Sequence, residues 1–221
     1  MADWVTISSL ATAGGTLALA GATYASVRSS NRSARVAELA LEEQRRPVLV
    51  HSNADDHAQK ARFADGHPLT IPGGGAIVDS VREAVYMAAS LRNVGVGIAV
   101  LQGWQASAIT GADPESQALW RKSLLAAEQP EVTDFRPLTR DQYIASGDVG
   151  VWQGAVRDPA DPLFAEIAAA QSHDLPVMVD ILYTDQVGEQ RTISRFALLP
   201  EEGRRLTAVA RHWYLDAAAP R

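Results

Sequence analysis

A run of 24 residues, from Trp4 to Val27, contains no charged side chain. As a helix, this run would reach about 36 Å, which exceeds the roughly 30 Å of a bilayer's hydrocarbon core. Its strongly apolar residues are few and contribute only about −3 kcal/mol of insertion free energy. We therefore expect residues 1–27 to form a transmembrane anchor that contacts the lipid bilayer through residues 4–27.

Two other interpretations of this run stay open. A helix buried in a soluble core would also lack charge. A secretory signal peptide would explain Ala18-Leu19-Ala20, but signal peptides begin with Lys or Arg, and Asp3 is the one ionised side chain before the run. Small residues at four-residue spacing further favour a homo-oligomer through close helix packing. They are Ala11, Gly14, Gly15, Ala18, Gly21, Ala22 and Ala25.

Positive charges follow the run directly. Residues 28–46 lack Gly and Pro, so we expect a juxtamembrane helix that continues the anchor and ends before Pro47. Arg28, Arg32 and Arg35 share one helix face, where each would gain about 1 kcal/mol at an anionic membrane surface. The positive-inside rule places the amino terminus outside and the carboxyl-terminal domain in the cytoplasm of a single-pass protein in the cell membrane. An extracytoplasmic domain is the alternative.

The remaining residues, 47–221, suffice for one soluble domain with its own core. The chain has a net charge of −6, and residues 1–46 contribute +1, so this domain carries −7. An acidic domain repels nucleic acid, and the absence of cysteine excludes disulfides. The sequence contains no phosphate loop, calcium loop, serine-hydrolase or zinc-protease motif. We therefore expect no cofactor and no catalytic residue.

Alternating apolar and polar residues between turn signals predict a mainly β domain. Strands are expected at 47–51, 60–63, 85–92, 98–109, 135–145, 149–156, 177–183, 190–199 and 208–215. The pairs 85–92 with 98–109, 135–145 with 149–156, and 177–183 with 190–199 are expected to form hairpins. Asp113-Pro114 and Asp161-Pro162 predict two short helical insertions, each with an N-cap and a proline at the first helical position. The predicted fold is an antiparallel β-sandwich-like domain, with α+β as the alternative.

Several short motifs carry a resemblance to known proteins. They are Arg46-Pro47-Val48-Leu49, Leu91-Arg92-Asn93-Val94-Gly95, Gly97-Ile98-Ala99-Val100-Leu101, Gly147-Asp148, Val151-Trp152-Gln153-Gly154-Ala155, Leu182-Tyr183-Thr184-Asp185, Arg191-Thr192-Ile193-Ser194-Arg195-Phe196 and His212-Trp213. With the amino-terminal helix, they resemble a group of uncharacterised actinobacterial membrane-anchored proteins over nearly the whole chain. The resemblance implies the architecture and implies no activity.

Two groups of polar residues are candidates for a site. Asp55-Asp56-His57 offers oxygen and imidazole ligands for a divalent metal, although its spacing matches no known motif and a solvated acidic loop is favoured. Arg191 and Arg195 are expected on one strand face with Arg92 nearby, forming either an anion site or, as favoured, internal ion pairs. Large buried side chains usually define a core, which we expect of Trp104, Trp152 and Trp213.

Three functions are consistent with these features. The favoured one is a membrane-tethered cytoplasmic interaction module without catalytic activity, whose protein partner the sequence does not identify. The second is a metal-dependent or hydrolytic enzyme that uses the loop of Asp55, Asp56 and His57. The third is an extracytoplasmic binding domain, either anchored or secreted.

Overall fold

The computed structural model describes residues 4–43, 45–109 and 111–216. The chain divides into two compact units, residues 1–44 and residues 45–221. Within the described residues, the first unit is one helix, α1 (Trp4–Glu43), and the second unit contains eleven strands and two α-helices.

Helix α1 is continuous over 40 residues, so the predicted continuation of the uncharged run into the Arg-rich stretch is confirmed. Its described side chains, at residues 13–38, 40 and 41, are exposed. Leu17 and Leu19 are 75% and 72% exposed, and their spacing puts them on nearly opposite sides of the helix. Among the described residues, no helix is both long enough and apolar enough to span a membrane.

The second unit consists mainly of strands. They are β1 (Leu49–His51), β2 (Gln59–Arg62), β3 (Pro68–Ile71), β4 (Gly75–Val81), β5 (Ala84–Asn93), β6 (Ala99–Ala108), β7 (Arg136–Ile144), β8 (Val149–Val156), β9 (Val177–Thr184), β10 (Thr192–Glu201) and β11 (Arg204–Tyr214). The helices are α2 (Pro114–Leu124) and α3 (Pro162–Ser172), with a 3-10 turn at Val132–Asp134. Both predicted N-caps are confirmed, since Asp113 accepts from the Ser116 amide (2.9 Å) and Asp161 from the Leu163 amide (3.0 Å).

Nine strands form one curled antiparallel sheet, in the order β7-β6-β9-β10-β11-β4-β5-β8. Strand β1 lies beside the end of β5, on the same edge as β4. Strands β2 and β3 form a separate pair. The mainly β, antiparallel fold is confirmed, but it contains one curled sheet where a sandwich would have two that pack face to face.

Two of the three predicted hairpins are wrong. Strands β9 and β10 do pair as expected, from Val177 opposite Leu198 to Tyr183 opposite Thr192. Strand β5 instead pairs with β1, β4 and β8, while β6 pairs with β7 and β9. Successive strands β5 and β6 therefore do not pair, and neither do β7 and β8.

The buried side chain of Asn93 explains why β5 does not turn back onto β6. Its Oδ1 accepts from the Val48 amide (3.1 Å), and its Nδ2 donates to the carbonyls of Gly97 (2.7 Å) and Ile144 (3.0 Å). A Cβ on Gly97 would lie 1.7 Å from the Arg45 carbonyl oxygen, so only glycine permits this approach. These contacts hold residues 45–48 against the segment after β5, where a hairpin partner would otherwise lie.

The main apolar core is closed on one side by α3, whose Leu163 and Ile167 are buried. Trp104 and Trp152 belong to this core, as predicted, with 3% and 0% exposure. Trp213 is only half-buried and lies 4.9 Å from the guanidinium of Arg195. Its assignment to the core is therefore wrong, because its ring packs against a charged side chain at the margin of the domain.

Candidate functional site

The two end strands of the curled sheet, β7 and β8, lie on either side of a cleft. In the described part of the chain, β7 pairs with β6 alone and β8 with β5 alone. The turn that joins them bonds to the end of β5 instead, since the Asn93 amide donates to Asp148 (3.1 Å) and the Gly147 amide donates to Asn93 (2.8 Å). Each strand therefore has one edge whose backbone N–H and C=O groups lack a strand partner.

The two edges differ in how readily they accept another strand. Strand β7 contains Pro137, which has no N–H, and its register against β6 shifts between Leu101 and Gly103, so that residues 138–141 form a bulge. Proline and bulges both discourage strand addition. Strand β8 has neither proline nor a charged residue. None of the residues of β8 is exposed, however, and Gly154 is buried, so this edge is covered although it has no strand partner.

The cleft between these edges has a volume of about 180 Å³ and a tryptophan at its base. Trp104 packs edge-on against Trp152, with 5.7 Å between ring centroids. A Cβ on Gly154 would lie 2.9 Å from atoms of both rings. Glycine at this position of β8 is therefore what allows the two tryptophans to pack beneath the strand.

Two arginines that line the cleft already hold carboxylates. Arg136 donates two hydrogen bonds to Asp161, and these lower the pKa of Asp161. The Arg157 Nε donates to Asp65 (2.7 Å). Burial raises the pKa of Asp65, but hydrogen bonds, of which the one from Arg157 is the largest, lower it to about 2. Both carboxylates are ionised at neutral pH and offset the charge of their arginines.

Arg140 differs, because no carboxylate in the described residues forms an ion pair with it. It lies on the bulge of β7 and is exposed. When the Gln153 amide oxygen faces it, Arg140 donates to that oxygen from Nη2 (3.0 Å) and Nε (3.3 Å), across the cleft. Its remaining guanidinium N–H groups can donate to a bound carboxylate.

Sequence reasoning missed this cleft, the two arginines that line it and the neighbouring Arg140. One signal was present: Gly154 lies inside a predicted strand, and glycine there often marks a close approach of another group. The lone polar residue of that strand, Gln153, is buried at 6% exposure and was a second signal. Neither signal identifies Arg136, Arg140 or Arg157, because their proximity depends on which strands end the sheet.

The predicted cluster of Arg92, Arg191 and Arg195 does not form, because β5 and β10 are not neighbours in the sheet. Each of the three holds its own carboxylate. The pairs are Arg92 with Asp56 (2.6 Å), Arg191 with Asp216 (2.8 Å), and Arg195 with Asp180 through two bonds of 2.7 Å. The last pair is buried, with 8% and 2% side-chain exposure.

The candidate metal ligands Asp55, Asp56 and His57 lie in the loop after β1. Asp56 is already engaged, since it accepts from Arg92 and from the Asn53 amide (2.7 Å). Asp55 and His57 are exposed. Within residues 4–43, 45–109 and 111–216, no three His, Asp or Glu side chains are grouped so that they could hold a metal ion.

The candidate membrane-surface residues lie on α1. Arg28, Arg32 and Arg35 share one side of the helix with Tyr24 and Asn31, and all five are exposed. The three arginines give this side of the helix a positive charge.

A chain of buried hydroxyl groups, also missed from the sequence, links β1 to β11. The Leu49 amide donates to the Tyr183 hydroxyl (3.1 Å), which lies 2.8 Å from Ser194 Oγ, and Oγ lies 2.7 Å from His212 Nδ1. Burial raises the pKa of Tyr183 to about 12 and lowers the pKa of His212. Ser194 is fully buried and out of reach of a substrate, so this chain ties strands together.

Of these features, the cleft is a concave surface of the second unit where apolar and charged side chains meet. It has the ring of Trp104 at its base, and the exposed guanidinium of Arg140 lies beside it, bonded to Gln153. Comparison of the chain with protein-family models, with curated proteins and with solved structures gives no match.

Proposed function

We propose that this protein is a membrane-tethered, non-catalytic interaction module. Its domain of residues 47–221 faces the cytoplasm and holds a segment of another protein in the cleft between β7 and β8. The cleft, with Trp104 at its base and the exposed Arg140 beside it, is the observation that carries the proposal. The alternative of an enzyme based on Asp56 gains no support, because Asp56 serves as the partner of Arg92.

The tether is the uncharged run of residues 4–27. Its support is the absence of charge over 24 residues, together with the exposure of Leu17 and Leu19 and the basic face that follows. We expect the full chain to stay in the membrane pellet after high-salt and alkaline washes. Leu19→Arg, which places a charge costing about 2.5–3.5 kcal/mol at mid-bilayer, should release the protein.

The matched control for Leu19→Arg is Leu41→Arg, which adds the same charge to the same helix beyond the uncharged run. Leu41 is 61% exposed, close to the 72% of Leu19. The control variant should stay in the pellet. Recovery of the unmodified chain in the soluble fraction, or equal release of both variants, would contradict the tether.

The orientation rests on Arg28, Arg32 and Arg35, which the positive-inside rule keeps in the cytoplasm. A fluorescent reporter that matures only in the cytoplasm, fused to the carboxyl terminus, should fluoresce in intact cells. An alkaline phosphatase fused at the same place should be inactive, and neutral replacements at all three arginines should raise its activity. An active phosphatase on the unmodified chain would support the extracytoplasmic alternative instead.

The binding role can be tested by site-specific photo-crosslinking in living cells. A photoreactive amino acid at Thr139, which lines the cleft, should give a discrete crosslinked product, while the same amino acid at exposed Lys122 on α2 should not. Arg140→Gln should weaken the Thr139 product. Equal products from both positions, or none from Thr139, would contradict a partner in the cleft.

A further inference from the structure

We infer that a second concave surface of the domain binds a small molecule that has one carboxylate on an apolar body, with Arg205 as the partner of the carboxylate. This groove lies where the end of α3, the start of β4 and the turn between β10 and β11 meet. The inference goes beyond the proposed function, because the groove shares no lining residue with the cleft between β7 and β8.

The groove exists because β4 outruns its neighbour in the sheet. In the described part of the chain, β11 pairs with β4 at Gly75 and Ala76 alone. The chain turns back at Gly203, just before β11 begins, so no part of this hairpin pairs with the remainder of β4. The groove occupies the place beside β4 that a longer hairpin would fill.

The size and the apolar wall of the groove suit a small molecule. Its volume is about 570 Å³, and sites that bind small molecules typically measure about 300–1,000 Å³. The apolar wall consists of Pro72, Ala76, Ile77 and Val78. Pro72 is exposed and Ile77 is half-buried, so part of this wall is open to the apolar body of a ligand.

Arg205 brings a buried positive charge to the groove. Its side chain is 7% exposed, and it donates to the carbonyls of Leu175 (2.7 Å) and Ala170 (3.3 Å) at the end of α3. These partners are neutral, and the dipole of a helix supplies only about half a negative charge at its carboxyl end. Among the described residues, the carboxylate that pairs with Arg205 is that of Asp174, which is 3.8 Å away and 70% exposed. The charge of Arg205 is therefore only partly offset.

Burial lowers the pKa of Arg205, and Asp174 opposes this effect only in part. A carboxylate in the groove would stabilise the buried cation through a charge-assisted hydrogen bond. The Nε of Arg205 donates no hydrogen bond within the described residues and can donate to a ligand. A neutral ligand would leave the charge of Arg205 as it is.

The other charges of the groove favour a ligand with a single negative charge. Arg204 also lines the groove, but it already donates two hydrogen bonds to Glu201, of 2.8 and 3.1 Å. Asp174 adds a negative charge at the rim. A dianion would be repelled by Asp174 and Glu201, whereas one carboxylate matches the one cation that lacks a close counter-charge.

The test uses the full chain in a nanodisc of zwitterionic lipid, with phenylbutyrate as the probe and phenylbutanol as its neutral match. Binding is followed by the methyl NMR signals of isoleucine, because Ile77 lines the groove whereas Ile193 is fully buried in β10. The variant Ile77→Val identifies the Ile77 signal. Free probe concentrations are measured in the aqueous phase, since both probes also dissolve in the bilayer.

We expect phenylbutyrate to shift the Ile77 signal with half-saturation at about 1 mM or less, as is usual for a ligand of this size. Phenylbutanol should need at least about a tenfold higher concentration. The Ile193 signal should stay in place. A missing or non-saturating shift of Ile77, or equal half-saturation by the two probes, overturns the inference.

Two substitutions change the charge of the groove in opposite directions and leave Arg205 in place. Asp174→Asn removes the negative charge at the rim and should tighten phenylbutyrate binding about threefold. Asn tolerates the φ of +52° at this position, so the variant should fold. Gln171→Glu adds a negative charge with little change of shape. Because Gln171 is half-buried, screening is weaker there, and phenylbutyrate binding should weaken at least about tenfold.

The matched controls are Asp148→Asn and Gln186→Glu, which make the same changes of charge at exposed positions outside the groove. Neither control should change phenylbutyrate binding, and none of the four variants should change phenylbutanol binding. Tighter binding to Asp174→Asn together with weaker binding to Gln171→Glu supports the site. Equal effects of the groove variants and their controls, or effects of the opposite sign, overturn it.

Discussion

Replacing Asp180 with asparagine should lower the free energy of unfolding of the domain by about 3–5 kcal/mol. The variant leaves Arg195 buried without a counter-charge, since the side chains of Arg195 and Asp180 are only 8% and 2% exposed. Asp180 also accepts from Gln105 (2.9 Å), and Arg195 donates to the Ser123 carbonyl (2.6 Å) at the end of α2. Losing the carboxylate therefore disturbs the attachment of α2 to the sheet as well as the pair.

The assay is thermal unfolding of the full chain, followed by tryptophan fluorescence. For a domain of this size, about 3–5 kcal/mol corresponds to a fall in Tm of roughly 6–20 °C. The control is Asp216→Asn, which breaks a similar two-bond pair with Arg191, four residues before Arg195. That pair is 46% and 31% exposed, so solvent screening limits its contribution to about 0–1 kcal/mol.

Similar losses from Asp180→Asn and Asp216→Asn would show that burial does not set the strength of these ion pairs, and would contradict the prediction. If Asp180→Asn does not fold, the double variant Asp180→Leu with Arg195→Met decides the matter. An apolar replacement of both partners removes the unpaired charge, and such variants often equal the parent protein in stability. The double variant should fold and melt at a higher temperature than Asp180→Asn.

Three further predictions concern stability. Asn93→Ala should cost about 2–4 kcal/mol, because it leaves several buried backbone groups without partners; urea unfolding measures the loss, and a change under 1 kcal/mol would contradict it. Gly97→Ala should prevent folding or lower Tm strongly, since the added Cβ would lie 1.7 Å from the Arg45 carbonyl oxygen. Thermal unfolding followed by circular dichroism measures this change. A melting curve like that of the unmodified chain would contradict the close approach of Gly97 to Arg45. Burial lowers the pKa of His212 below 6.5, so the unfolded chain binds more protons at this residue and the free energy of unfolding should fall as pH drops through 6.5 and below. His212→Phe should flatten this pH dependence of the free energy of unfolding. An unchanged pH dependence in the variant would contradict the role given to His212.

The sequence was sufficient to predict elements whose determinants are local. The helix caps at Asp113 and Asp161 and the strand at β5 appear where predicted. The period-2 pattern of β5 indicated a half-buried strand, which is wrong, because β5 is buried on both faces. Strand β4 was missed because Gly73 to Gly75 indicate a turn and Asp79 and Ser80 interrupt its apolar residues. In the fold, Gly74 has φ +66° and Gly75 already begins the strand.

Strand pairing could not be predicted, because it depends on contacts between distant parts of the chain. Short connections favour hairpins, so β5 with β6 and β7 with β8 were natural predictions. The Asn93 side chain overrides this tendency, since it bonds Val48 and Ile144, which are 45 and 51 residues away. The candidate cleft exists only because β7 and β8 do not pair with each other, and residue types along the chain do not reveal this.

Photo-crosslinking from Thr139 in intact cells decides whether the cleft holds a partner, because this residue lines the cleft. We expect a discrete crosslinked product from Thr139 and none from the exposed Lys122 on α2. Equal products from the two positions, or no product from Thr139, would contradict a partner in the cleft.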